Sequence, residues 1–241
     1  MEPTIVAAVV TAALAAAVSL VTLYRGEKTA VMARAYQREE ARSLQVRRYQ
    51  VPLARAAYEL QNRLYTIRTT DYLPMQLHSK DEATREYVRW NTLYLFAQYL
   101  AWAEILRREV QYLDLADEGA TRSFIERLDA VQNAFGEAGT EPGRPFRIEY
   151  GDQRAIGELA VDPNAGATRE AIGPAAFRAN SGKGTPLADW LDRLNSDIDR
   201  VGADRSDVAW LVGPQAALGD LVSHADPKAL VFDRRYLRGN S

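Results

Sequence analysis

The stretch "NTLYLFAQYLAWA", Asn91–Ala103, carries no charge. The uncharged run fills all 14 positions between Arg89 and Glu104. As a helix rising about 1.5 Å per residue it reaches about 21 Å. A hydrocarbon layer of about 30 Å is out of reach. A run of this length reads as a buried helix. The spacing agrees: Val88, Leu95, Tyr99, Trp102, Leu106 and Leu113 share one helical face, and Leu93, Phe96 and Leu100 fill a second. A helix apolar on two sides belongs in the middle of a bundle. Ser79 and Glu82 predict a capping box at its start. A re-entrant or membrane-surface helix is the alternative.

The other long uncharged run is different. "TIVAAVVTAALAAAVSLVTLY", Thr4–Tyr24, has 21 residues and about 31 Å of helical reach, enough to span. A cleaved signal peptide would open on positive charge. This chain opens "MEPT", although Ala15–Ala17 could mimic a cleavage site. Arg25, Lys28, Arg34, Arg38 and Arg42 follow the run and no basic residue precedes it. The positive-inside rule then puts the N-terminus outside and the body in the cytoplasm, with the chain crossing the inner (plasma) membrane once. Tyr24 falls where an interfacial aromatic would.

Composition narrows the chemistry. The 241 residues are 26 % charged and 47 % hydrophobic, as in a folded protein. No cysteine is present, which excludes disulfides, thiolate metal sites, iron–sulfur clusters and a cysteine nucleophile. His78 and His224 are the sole histidines, too few for a three-histidine metal site in one chain. With 26 Arg against 4 Lys, the chain reads as the product of a GC-rich, bacterial genome. Charge is uneven: residues 25–68 have a net charge of +6 and residues 69–241 a net charge of −7. That is a basic section beside the apolar run, followed by an acidic body.

The remaining pattern is mainly α. Val46, Tyr49, Leu53, Ala56, Leu60, Leu64 and Ile67 recur every three or four residues, a helical seam. Pro52 predicts a kink or restart near 48–52. "TTDYLPMQLHSK" (69–80) reads as a connection to the second helix, which runs to about Leu115 and pairs antiparallel with the first. Phe124, Leu128, Val131 and Phe135 mark a shorter helix. "GEAGTEPGRP" (136–145) is the best internal boundary. "FRIEY" alternates like a short strand, the one minor β element expected. "GDQRAIGELAV" reads as helix with strand as the alternative. "DPNAGATRE" and "RANSGKGTP" read as loops. Thr185–Pro186 opens a helix with Leu187, Trp190, Leu191, Leu194, Ile198 and Val201 on its stripe. A last helix covers about 206–223, bent at Gly213–Pro214. The division is thus an anchor at 1–24, a juxtamembrane bundle at 25–135 and a distal, mostly helical region at 146–241 packed on it.

The runs "PLARAAYELQNRLY", "RREVQYLDL" and "GDQRAIGE" resemble stretches of uncharacterised bacterial single-span membrane proteins. The resemblance covers most of the cytoplasmic part. It implies a membrane-anchored helical protein and carries over no activity and no functional residue.

Candidate chemistry is sparse. "SGKGTP" (181–186) lacks the G-x-x-x-x-G-K-[ST] spacing of a phosphate loop and reads as a connecting loop. His78 and His224 have no metal-binding or catalytic neighbour in sequence. No catalytic, cofactor or metal motif is present. The best polar site is Asp152, Arg154 and Glu158 in "GDQRAIGE", with Arg154 and Glu158 spaced to pair along a helix and Gly157 open to a neighbouring backbone. Arg34, Arg38 and Arg42 repeat every four residues as a basic stripe suited to anionic lipid head groups. No basic–aromatic groove for nucleic acid is seen. Ala8, Ala12 and Ala16, or Thr11, Ala15 and Ser19, are small faces that allow a homo-oligomer in the bilayer. These features read as a single-pass, membrane-anchored scaffold, adaptor or sensor that docks a protein partner. The alternatives are an accessory subunit of a channel or transporter, and a membrane-tethered enzyme of unrecognised type.

Overall fold

A computed structural model describes residues 32–33, 36–37, 48–110, 118–136, 143–166, 168–205 and 207–233. The expected span at Thr4–Tyr24, the basic stripe Arg34, Arg38 and Arg42, and Leu113 lie outside these residues. The chain divides into two units, 1–47 and 48–241. The helical body described below belongs to the second unit. No helix among the described residues is long and apolar enough to cross a membrane.

The body is built of helices: α1 (48–69), α2 (Tyr72–Leu77), α3 (Glu82–Val110), α4 (Glu118–Gly136), α5 (Tyr150–Leu159), α6 (Pro174–Asn180), α7 (Pro186–Ala203) and α8 (Val212–Ala225). One 3₁₀ turn, Ala209–Leu211, leads into α8. Among the described residues there is no strand, and the sole β feature is an isolated bridge between Val161 and Ala171.

α3 is the central element. Val88, Leu95, Tyr99 and Leu106 are buried on one face, Leu93, Phe96 and Leu100 on the other, and Trp102 is half-buried. It packs against α2, α5, α6 and α7. Phe96 stacks on Phe146 at 5.6 Å and meets Phe135 edge-on at 5.8 Å. The Gly/Pro-rich boundary therefore separates no cores, because residues on both sides of it close on one α3 side chain. α1 buries Tyr49, Leu53, Ala56, Leu60, Leu64 and Ile67, the described part of the seam read from spacing, whose first member, Val46, lies outside the described residues. Arg63 of α1 donates to Thr92 of α3 at 3.1 Å, so the two helices touch.

Several expectations are corrected. α1 runs through Pro52 without a break from 48 to 69, and the residues directly before 48, needed to see the expected kink or restart near 48–52, lie outside the described residues. A proline removes one donor, and the buried seam around it outweighs that loss. The α3 cap is Asp81, not a Ser79–Glu82 box. Asp81 accepts from the backbone N–H of Ala83 at 3.2 Å and Thr84 at 3.3 Å, and Ser79 Oγ accepts from Asp81 N–H. The Thr84 hydroxyl, together with those N–H groups, holds the Asp81 carboxyl below its ordinary range.

"FRIEY" is not a strand. Phe146 and Ile148 are buried and Arg147 and Glu149 are not, but the segment opens on a turn, with Arg147 N–H donating to Arg144 O at 3.4 Å. Its N–H groups find other partners: Phe146 donates to Asp197 Oδ2 at 2.7 Å and Ile148 to Phe135 O at 3.1 Å. Phe146 has φ +63°, a costly conformation for a bulky residue. Asp197 of α7 holds it there. Burial raises the Asp197 carboxyl above its usual range, against the pull of that N–H and of Arg200 and Arg193.

The connection 69–80 contains α2, and residues 178–180 of the expected loop belong to α6. α7 opens as read, with Thr185 Oγ1 accepting from Ala188 N–H at 3.3 Å. Its stripe is buried except Trp190, which is 45 % exposed. Gly213 and Pro214 lie in the first turn of α8, just after the 3₁₀ turn gives way to α-helix, where a missing proline N–H costs little.

Candidate functional site

α5 crosses α3 at Gly157. A Cβ at that position would sit 2.5 Å from the Leu100 carbonyl oxygen. Only glycine admits this approach, although alanine favours a helix interior by about 1 kcal/mol. The crossing brings the polar face of α5 onto the end of the uncharged run in α3, where Glu104 is 3 % exposed.

Glu104 is surrounded by guanidinium groups. Arg108 Nε lies 2.6 Å from Oε1, Arg107 donates to Oε2, and Arg154 Nε from α5 lies 4.0 Å from the same Oε2. Arg108 also reaches Glu158 Oε2 at 3.3 Å. The spacing predicts a pair between Arg154 and Glu158, but both turn to α3 instead. The expected site is thus half of a larger cluster. Asp152 stands in the first turn of α5, where its charge suits the helix dipole, and does not line the cavity described next.

Beside this cluster, α3, α4 and α5 line a half-open cavity of about 180 Å³. Tyr99, Leu100, Ala103, Leu106, Ile125 and Leu128 form its apolar wall. Glu104, Arg107, Asp129, Gln132, Gln153 and Arg154 supply polar groups. Gln153 is buried and fixed, donating from Nε2 to Gln132 O and Ile148 O, both at 2.9 Å. Burial pushes the Tyr99 phenol far above its ordinary range. Burial first, and then the nearby charges of Arg154 and Arg108, lower the Arg107 guanidinium. Such crowding of like charge is a mark of functional sites, though ion-pair networks share it.

The other candidates lie elsewhere. Residues 181–184 form a turn between α6 and α7, with Gly184 at φ +86°. They border an open groove with Trp90 and Arg178, and Arg178 reaches Glu86 at 3.4 Å. A helix, not a strand, precedes the turn, and the Thr185 hydroxyl is engaged in capping, so the phosphate-loop geometry is missing. His78 Nδ1 sits 2.7 Å from Pro74 O. His224 lies against Phe124 at 5.9 Å, its pKa lowered by burial and then by Arg127. Among the described residues no three metal-ligating side chains converge.

Sequence reading missed Glu104, Arg107 and Arg108. In one dimension they look like an ordinary surface pairing at spacings of three and four. The available signal was that Glu104 follows Leu100 by four residues on a face otherwise buried. Comparisons with protein-family models, with curated proteins and with solved structures give no match.

Proposed function

We propose that this protein is a membrane-tethered sensor or adaptor. A single span at residues 4–24 anchors it in the inner membrane, and the cytoplasmic helical body binds a small ligand and docks a protein partner. The observation that carries this reading is the cavity between α3, α4 and α5. An apolar hollow with a few fixed polar groups at one side is the usual form of a small-molecule site. The Glu104 carboxylate is engaged by three guanidiniums, which suits recognition better than proton transfer by a free base. The tether rests on the hydropathy and flanking charge of the N-terminal run, and on the resemblance to single-span bacterial proteins. The basic stripe Arg34, Arg38 and Arg42 suits anionic lipid at the inner leaflet.

Ligand-observed NMR on the full chain in mild detergent tests the reading, using a fragment set of mixed charge with up to about 12 heavy atoms, a size suited to the cavity. Some fragments should bind, and Ala103→Trp, which fills the hollow, should abolish their binding while the far-ultraviolet dichroism stays unchanged. If no fragment binds, or if Ala103→Trp leaves every hit intact, the sensor reading fails. Chemical turnover of a bound fragment would replace it with the membrane-tethered enzyme.

A further inference from the structure

The cavity has a chemical preference beyond being a hollow. We infer that it takes a small monocarboxylate, one aromatic ring or a short acyl chain bearing a single carboxylate, whose charge is held between Arg107 and Arg154. This rests on the reading of the cavity as a ligand site.

Size sets the body of the ligand. A hollow of about 150 Å³ in an apolar core holds benzene, so about 180 Å³ suits a ring with one small substituent. Leu100, Leu106 and Leu128 give that ring an apolar seat.

Charge sets the substituent. Glu104 is one carboxylate serving three guanidiniums. Arg108 has a second partner in Glu158. Arg107 and Arg154 share the single oxygen Oε2 of Glu104 and repel each other across it. A second carboxylate at that edge would give two guanidiniums and two carboxylates, with planar N–H forks matched to planar oxygens. A cation would add to the repulsion. A neutral amide would leave it unrelieved. The other acid on the wall, Asp129, comes from α4 and is exposed, so water and salt screen it. Arg154 is 60 % exposed, so its side chain has room to close over a bound anion.

Isothermal titration of the full chain in detergent tests this with benzoate and its uncharged near-isostere benzamide. Benzoate should bind about tenfold or more tighter than benzamide, as a charge-assisted hydrogen bond implies. Arg154→Ala should weaken benzoate by about tenfold and leave benzamide unchanged. The substitution lies at an exposed position, and a melting curve confirms its fold. Arg154→Lys, which keeps charge but loses the fork, should fall between. Equal binding of the two ligands overturns the inference, as does benzoate affinity indifferent to Arg154. If neutral or cationic fragments bind in the cavity and benzoate does not, the carboxylate assignment fails and the ligand site stands. If nothing of any charge binds, both fail together.

Discussion

Phe96→Ala should lower the unfolding free energy by about 4 kcal/mol, the cost of truncating a buried phenylalanine. Phe96 is 1 % exposed and touches Phe135 from one side of the Gly/Pro-rich segment and Phe146 from the other. Its loss therefore opens a hole where α3, α4 and the 146–149 segment meet. Phe146 is itself held at positive φ by Asp197, so this side of the hole resists collapse and the cavity cost stays high. Urea denaturation followed by circular dichroism measures the effect. A loss under about 1.5 kcal/mol, the range of well-tolerated hydrophobic swaps, would mean that the halves of the body do not share this core.

Glu104→Ala is the second large effect, with an expected loss of about 3 kcal/mol, the lower end for breaking a buried ion pair. The substitution removes one buried carboxylate and leaves Arg107, Arg108 and Arg154 facing one another. Two of these guanidiniums are about one-third exposed and Arg154 is more so. Water therefore softens the penalty but does not abolish it. Salt should recover part of the loss by screening the repulsion. Glu158→Ala makes the contrast: its side chain is 65 % exposed, and a surface pair contributes about 0–1 kcal/mol. Equal effects of the two substitutions would show that Glu104 is not the keystone of the cluster.

Periodic helices were legible from sequence because burial writes itself into spacing. The two faces of α3, the seam of α1, the Phe124–Phe135 face of α4 and the Thr185–Pro186 start of α7 all followed from apolar recurrence and capping chemistry. α6 was not legible, because seven residues with one buried side chain, Phe177, make no period. "FRIEY" misled because alternation records which side chains are buried, not whether the backbone is extended or has a partner strand, and here Phe146 sits in a turn at positive φ. At 81–84 the nearer carboxylate displaced the expected box, since Asp81 alone reaches both free N–H groups. The candidate site was half legible. Arg154 and Glu158 stood out, and so did Gly157 as a point of close approach. Their partners Glu104 and Arg108 come from about fifty residues earlier, and local spacing does not encode that meeting. Once the backbones touched at Gly157, the tertiary partners took over from the pair along the helix.

The absence of cysteine from the chain allows one direct test of the cavity as a ligand site. Ala103→Cys places a lone thiol in the cavity wall, and Tyr87→Cys places one at a position 50 % exposed and outside that wall. The rate of reaction with a small thiol reagent is measured for each variant, with and without saturating benzoate. Benzoate should slow the labelling of Ala103→Cys severalfold and leave Tyr87→Cys unchanged. Labelling of Ala103→Cys at the same rate in both conditions, or equal slowing of both variants, would contradict ligand binding between α3, α4 and α5.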